Sequence, residues 1–213
     1  MKIKNISLSQ KKGGNGYTSS FSLSIGKNEA IACGLIKEDK PTILCKIIDD
    51  VNNQIIIKPK NISISKATVD KVIRLADKVY LESTQSDKDS YSMREMLERF
   101  AAFQKGEVQE PPMQYALREF LHGLSVEELS DLATLMNIGR NYDTNINLCG
   151  DDRFIDYWAY ISSYIPDNPN DLVDYLVEKL PLAKYLRNGV IFCKLPVGMD
   201  PMHMTDEDME AYT

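Results

Sequence analysis

The sequence predicts an α+β protein in which a small β unit, residues 1–60, precedes an all-α domain, residues 65–195, and an acidic tail, residues 196–213. Apolar residues alternate with polar ones in the first unit, which is the period of a strand, and recur at helical spacing beyond it. Charge divides at nearly the same place. Residues 1–68 carry 11 Lys+Arg against 5 Asp+Glu, and residues 69–213 carry 14 against 26. The first unit is therefore suited to a polyanionic partner.

The first unit begins with a predicted hairpin. Apolar and polar residues alternate on both sides of a glycine-rich break, in which Asn15-Gly16 is a strong signal for a tight turn because both turn residues need positive φ. The alternating apolar residues are Ile6, Leu8, Phe21, Leu23 and Ile25.

A helical turn and a second hairpin follow. Residues 27–33 are predicted to form a short helix that Gly34 ends in the left-handed conformation. Strands are predicted over residues 42–48 and 54–57. Pro59 stops the last strand because proline has no N–H to donate to a ladder.

These elements resemble the AbrB/SpoVT family of swapped-hairpin domains. The residues that carry the resemblance are Ser22-Leu23-Ser24-Ile25, Gly34-Leu35 after the short helix, the turn Lys37-Glu38-Asp39-Lys40, and Asn53-Gln54-Ile55-Ile56-Ile57-Lys58-Pro59. The resemblance implies a small β-barrel made by two chains that exchange hairpins. It further implies an obligatory homodimer that binds DNA as a transcription regulator or as an antitoxin-like protein.

Five lysines are the candidate DNA contacts by their positions in this unit. They are Lys2, Lys4, Lys11, Lys12 and Lys27. The unit contains no arginine. Lysine neutralises phosphate as a point charge but lacks the bidentate fork that reads guanine edges, so we expect contacts to the phosphate backbone.

The second unit is predicted to be helical, with apolar stripes that face a core. Loops are expected over residues 83–90 and 106–112. Ser125 and Glu128 form a capping box that opens a central helix, which we expect Gly139 to end. The stripes before it consist of Val69, Val72, Ile73, Ala76, Val79, Tyr80, Met93, Met96, Leu97, Phe100, Met113, Leu117, Phe120 and Leu121.

Residues 124–189 resemble an uncharacterised bacterial family of helical domains, through the capped leucine-rich helix and the segment from Leu176 to Gly189. The resemblance implies a compact all-α unit and no particular activity. Arg140 follows Gly139, where a cation either complements helix carbonyls or meets a ligand. Later helices are predicted over residues 152–164, 170–180 and 181–188, the last ended by Gly189.

The sequence offers little material for catalysis. His122 and His203 are its only histidines, and it contains neither glycine-rich phosphate-binding motif, so we expect a protein that is not an enzyme and needs no cofactor. Asp143-x-Asn145-x-Asn147 begins like a calcium loop, but its twelfth position is Phe154, where a carboxylate is required.

The cysteines and the short apolar runs predict a cytoplasmic protein without a membrane partner. Cysteine pairs with metal-site spacing are absent, so reduced and mostly buried thiols are expected and no metal site is. The four cysteines are Cys33, Cys45, Cys149 and Cys193.

The acidic tail interleaves methionines with carboxylates and contains neither lysine nor arginine. We expect it to be a disordered end, with a segment that folds on a partner, or on the basic unit, as the alternative. The main functional expectation is a dimeric DNA-binding regulator or antitoxin-like protein. The alternative is a protein-interaction or inhibitor module whose acidic helical domain binds a partner protein, while the first unit only dimerises.

Overall fold

The computed structural model describes residues 9–12, 18–22, 25, 27–35, 43–49, 54–86, 110–142 and 144–212. The chain divides into two compact units, Met1–Lys60 and Asn61–Thr213. Strands are described in the first unit, and the second is helical in its described part. The α+β class is therefore confirmed.

The first unit contains two antiparallel strand pairs and one short helix. Strand β1 (Ser9–Lys12) pairs with β2 (Thr18–Ser22), and β3 (Leu44–Asp49) pairs with β4 (Gln54–Pro59). Helix α1 (Lys27–Ala32) lies between the pairs in sequence. The backbone N–H of Gly34 donates to the carbonyl oxygen of Ile31 at 2.9 Å, with φ of +69°, so the predicted glycine cap is confirmed.

The predicted β-barrel is not formed in the described part of the single chain. The strands make two separate two-stranded sheets, with no ladder joining one pair to the other. A lone strand pair leaves an open edge on each side and has no second layer to cover its apolar side chains. The antiparallel strand pairs are thus confirmed, although β1 includes Lys11 and Lys12, which were predicted to lie in the break, and the barrel-like fold is wrong for the described residues. The predicted Asn15-Gly16 turn lies outside the described residues.

The second unit is built from seven α-helices and a 3₁₀ turn in its described part. These are α2 (Lys66–Ser86), α3 (Pro112–His122), α4 (Val126–Asn141), α5 (Gly150–Ile161), α6 (Pro169–Val177), α7 (Leu182–Lys194), the 3₁₀ turn Pro201–His203, and α8 (Asp206–Glu210). None of the described helices combines the length and the apolar character that a membrane span requires.

Helix α4 is the centre of this unit. Every residue from Asp131 to Gly139 is buried, because α5, α6 and α7 all pack around the helix. Helix α2 packs against α3 and α7. The predicted stripe on α2 is confirmed at its buried positions, although Tyr80 is 47% exposed and does not belong to the core. The buried stripe residues are Val69, Val72, Ala76 and Val79 on α2, and Leu117 and Leu121 on α3.

Two glycines allow α4 and α7 to touch backbone to backbone. A Cβ atom built on Gly139 would lie 2.5 Å from the nitrogen of Gly189, and one built on Gly189 would lie 2.8 Å from the carbonyl carbon of Leu135. Both distances are far inside van der Waals contact, so only glycine fits at either position. The predicted role of both glycines as helix ends is wrong. Helix α4 continues to Asn141, and Gly189 lies in the middle of α7.

Other boundaries also differ from the sequence prediction. Helix α2 extends to Ser86, into the segment expected to be a loop, and the helix predicted around Met93 lies outside the described residues. The C-terminal segment contains the turn Pro201–His203 and helix α8 where a disordered end was expected. Its methionines and its last tyrosine explain the order, since they pack against the core; they are Met199, Met204, Met209 and Tyr212.

A buried carboxylate fixes the start of α2 to α4. Oδ2 of Asp131, which is fully buried, accepts hydrogen bonds from the backbone N–H groups of Ser63 at 2.5 Å and Ile64 at 3.1 Å. These two groups precede α2 and find no partner within a helix. Hydrogen bonds to a charged acceptor are about twice as strong as neutral ones, so the contact is a firm anchor.

Candidate functional site

The structure describes the backbone of three of the five lysines predicted to contact DNA. Lys11 and Lys12 lie on β1, and Lys27 is the first residue of α1. Lys2 and Lys4 lie outside the described residues. Lys11 pairs with Ser20 and Lys12 with Thr18, so β2 has one extra residue at this step. Such a bulge bends and twists a strand locally.

The β3–β4 hairpin presents apolar side chains to solvent on both of its faces. Ile55 is 65% exposed, and its neighbours Ile56 and Ile57 are each 38% exposed. Successive residues of a strand point to opposite faces, so no single covering layer reaches all three. Ile25 and Leu44 are also more than 40% exposed.

The same hairpin carries lysines that were not among the predicted contacts. Lys46 on β3 is exposed and lies opposite Ile57, and Lys58 on β4 lies opposite Cys45. Lys58 is half-buried. The sequence indicates both lysines as candidate contacts, because they interrupt strongly apolar strands. The predicted contacts were instead placed mainly on the first hairpin, which is more basic.

The second unit brings cations together in a groove between α2 and α7. Four of them line a cavity of about 330 Å³, namely Lys66, Arg74, Arg187 and Lys194. Arg187 forms an ion pair with Asp77. The side chains of the other three are exposed and form no hydrogen bond or ion pair with any residue that the structure describes. Asp70 is the acidic residue of the lining, which also includes Tyr212.

An apolar pit of about 290 Å³ adjoins the groove and shares Lys66, Asp70, Val190 and Lys194 with it. Its walls come from the segment before α2 and from α2, α4, α5 and α7. They are mainly the side chains of Ile62, Ile64, Val69, Leu135 and Phe154. Asp151 and Cys193 complete the polar part of the lining. Groove and pit together form a continuous surface that is cationic at one end and apolar at the other.

The thiol in the pit is not a nucleophile at neutral pH. Burial raises the pKa of Cys193 to about 12, against the weaker opposing effect of Arg153, and the thiolate is the reactive form of cysteine. All four cysteines are free. The expectation that they are mostly buried is wrong, because Cys33 and Cys149 are exposed.

Arg153 is a structural cation rather than a ligand-binding one. Its side chain is fully buried, and it donates to three backbone carbonyls, those of Leu148 at 2.8 Å, Pro196 at 3.3 Å and Phe192. Burial lowers the pKa of this guanidinium. The contacts tie the start of α5 to the end of α7, where cations complement exposed helix carbonyls.

The remaining candidates do not converge into a reactive arrangement. Arg140 is exposed in the last turn of α4, and no residue that the structure describes forms a hydrogen bond or ion pair with its side chain. His122 is exposed at the end of α3, while Nδ1 of His203 lies 3.1 Å from Oδ2 of Asp200. Asp143, which begins the calcium-like motif, lies outside the described residues.

The described part of the chain contains no group of three or more side chains suited to hold a metal ion. The groove between α2 and α7 was missed from the sequence because its cations come from opposite ends of the helical unit. Only the packing of those two helices brings them together.

Comparison of the chain with protein-family models, with curated proteins and with solved structures finds no match.

Proposed function

We propose that the protein is a homodimeric DNA-binding regulator, or an antitoxin-like protein, that acts in the cytoplasm through its first unit. One observation carries the proposal. Among the side chains described in the first unit, Ala30 is the single buried apolar residue, while the isoleucines of β4 are exposed. A two-stranded hairpin without a covering layer is marginally stable in water.

A second copy of the chain is the partner that best completes this unit. The exposed apolar residues lie on both faces of the hairpin, as expected for a strand pair that inserts into another layer and does not simply lie against one. Covering each half-exposed isoleucine contributes roughly 1 kcal/mol, and a twofold arrangement counts every such contact twice. The resemblance of this segment to swapped-hairpin domains likewise implies a homodimer.

DNA is the proposed partner of the resulting dimer because of charge. Residues 1–60 have 10 Lys+Arg against 5 Asp+Glu, a basic excess of five, whereas residues 61–213 have 15 against 26, an acidic excess of eleven. A dimer presents the basic surface twice. The absence of arginine from residues 1–68 favours phosphate contacts over base reading, so binding is expected to depend steeply on salt.

Dimerisation is tested first, by light scattering coupled to size-exclusion chromatography. The full chain is expected to elute as a dimer, and Ile55→Lys/Ile57→Lys is expected to elute as a monomer. The matched control is Val197→Lys, which places lysine at a residue of the second unit that is 60% exposed. A monomeric wild-type protein would contradict the proposal.

DNA binding is then measured by fluorescence anisotropy of a labelled duplex at several salt concentrations. The logarithm of affinity should fall with that of salt with a slope of roughly −0.9 per phosphate contacted. Lys11→Ala/Lys12→Ala should weaken binding and make the slope shallower by roughly 2 for each chain that contacts the duplex. Lys78→Ala/Lys184→Ala, in the second unit, serves as the control. A dimer that binds no DNA even at low ionic strength would support the protein-interaction alternative instead.

A further inference from the structure

We infer that the groove between α2 and α7, with the pit beside it, binds a small amphipathic anion. The apolar body of the ligand lies in the pit and its anionic head group lies in the groove, with Lys66 and Lys194 at the junction. This site belongs to the helical unit and does not depend on the proposed DNA binding of the first unit.

The charge of the groove is the first argument. Residues 61–213, the helical unit, have 15 basic residues against 26 acidic ones, so cations are expected to lie among carboxylates. The groove is instead lined by four cations and one carboxylate, that of Asp70, while Arg187 is paired with Asp77 outside the lining. Three of the four have no ionic partner among the described residues, which leaves the groove with a local positive potential. Such a potential attracts an anion.

The pit supplies the second argument. Its volume of about 290 Å³ is equivalent to about ten water molecules at about 30 Å³ each. Its apolar walls are the side chains of Ile64, Val69, Leu135, Phe154 and Val190, none of which offers water a hydrogen bond. A concave, mainly apolar cavity with a few polar groups at one end is the usual form of a small-molecule site.

The position of the carboxylates decides which end of the ligand is charged. The pit contains two lysines and the carboxylates of Asp70 and Asp151, so its own charges balance. Arg74 and Arg187 occur only on the groove side. The anionic head is therefore expected beside the arginines and not at the Asp151 end. Aromatic carboxylates of about a dozen non-hydrogen atoms match this distribution in size and polarity.

Binding of 2-naphthoate to the full-length protein tests the inference, measured by isothermal titration calorimetry. A saturable isotherm is expected, with a dissociation constant of about 1 mM or lower for a ligand of this size. The neutral analogue 2-naphthalenemethanol, which has the same rings and no charge, should bind about tenfold more weakly. Acetate, which has the charge and no rings, should show no measurable binding.

Two kinds of variant locate the site. Arg74→Gln/Lys194→Gln removes exposed cations and should weaken 2-naphthoate binding about tenfold, while the control Lys78→Gln/Lys184→Gln, on the same helices but outside both cavities, should leave it within about twofold. Val190→Phe fills the boundary of groove and pit and should abolish binding with the cations intact. Circular dichroism verifies the fold of each variant.

The inference is overturned if 2-naphthoate does not saturate, if the neutral analogue binds equally well, or if Arg74→Gln/Lys194→Gln and its control bind alike. DNA binding of the same variants is measured as well, so that failure of the ligand site can be distinguished from failure of the proposed DNA-binding function. A loss of 2-naphthoate binding with unchanged DNA affinity supports the site by itself, and unchanged 2-naphthoate binding in a chain that fails to bind DNA leaves the site standing.

Discussion

Gly139 and Gly189 are the positions at which one added methyl group should have the largest effect on stability. Alanine favours a helix over glycine by about 1 kcal/mol. At the crossing of α4 and α7, however, the methyl group meets backbone atoms that belong to rigid helices. Overpacking of this kind costs typically 1 to 3 kcal/mol, and more where the backbone has to move. This cost should therefore exceed the gain in helix propensity.

Gly139→Ala and Gly189→Ala are each expected to lower the free energy of unfolding by about 2 kcal/mol or more, measured by urea denaturation. Gly123→Ala is the matched control, since Gly123 is exposed with φ of −79° and an added methyl group meets only a carbonyl oxygen at 3.3 Å. Its stability should change little. Equal stability of all three variants would mean that the helices do not cross at the glycines.

Buried polar residues could not be predicted from the sequence, and the reason is physical. Asp131 and Arg153 are fully buried because each finds backbone partners that are distant in the chain. A local pattern shows a charged residue on a helix and therefore indicates a solvated face. Only the tertiary contact supplies the hydrogen bonds that make burial of a charge tolerable.

At the scale of single elements, helix α4 shows which local signals are dependable. The predicted capping box is confirmed. Oγ of Ser125 accepts from the backbone N–H of Glu128 at 3.2 Å, and the Glu128 carboxylate accepts from the backbone N–H of Ser125 at 3.0 Å. Both partners lie within one helical turn, so the sequence contains all the information that is needed.

Ser125→Ala is expected to destabilise the protein by about 1 kcal/mol, because the backbone N–H of Glu128 at the start of α4 loses its acceptor, Oγ of Ser125. Thermal unfolding should show a decrease of about 2 to 4 °C for a chain of this size. Ser125→Thr keeps the oxygen and should restore most of the stability, and Ser163→Ala, at an exposed serine outside any cap, should have no effect. A decrease of the same size in Ser163→Ala would remove the cap as the explanation.

The end of the same element shows where local signals fail. A glycine near the end of an apolar run predicts a left-handed cap, yet the residue in that conformation is Tyr142, with φ of 59°. Gly139 lies about one turn earlier, inside the helix, where the backbone of α7 leaves no room for a Cβ atom. A glycine that ends a helix cannot be distinguished in the sequence from a glycine that lets a second helix approach closely, because the second helix is distant in the chain. Gly34, whose partner groups are local, was predicted correctly.

At the scale of the whole molecule, the two units differ in how each is stabilised. The second unit has a continuous apolar core that runs from Ile64 to Leu195 in sequence. The described part of the first unit has no comparable core. The sequence therefore predicted the nature of both units from periodicity. It could not predict that one chain leaves the first unit uncovered, because that depends on tertiary contacts.

Differential scanning calorimetry of the full chain should therefore resolve two transitions that respond differently to protein concentration. The midpoint temperature of the first unit's transition should rise as the protein concentration is raised, because each chain is the binding partner of another. A 100-fold increase in the concentration of a binding partner stabilises the bound state by up to about 2.7 kcal/mol. The transition of the second unit should stay at one temperature. Two transitions that are both independent of concentration would contradict folding of the first unit by association.

The glycine crossing also determines which helix can move when the groove between α2 and α7 widens. Because α4 and α7 touch through their backbones, we expect the two helices to move together. Helix α2 meets α7 through side chains such as the Asp77–Arg187 pair, and its start is held to α4 by Asp131. If the groove widens, α2 is therefore expected to turn about its anchored start, with the smallest displacement at Lys66 and a larger one at Arg74.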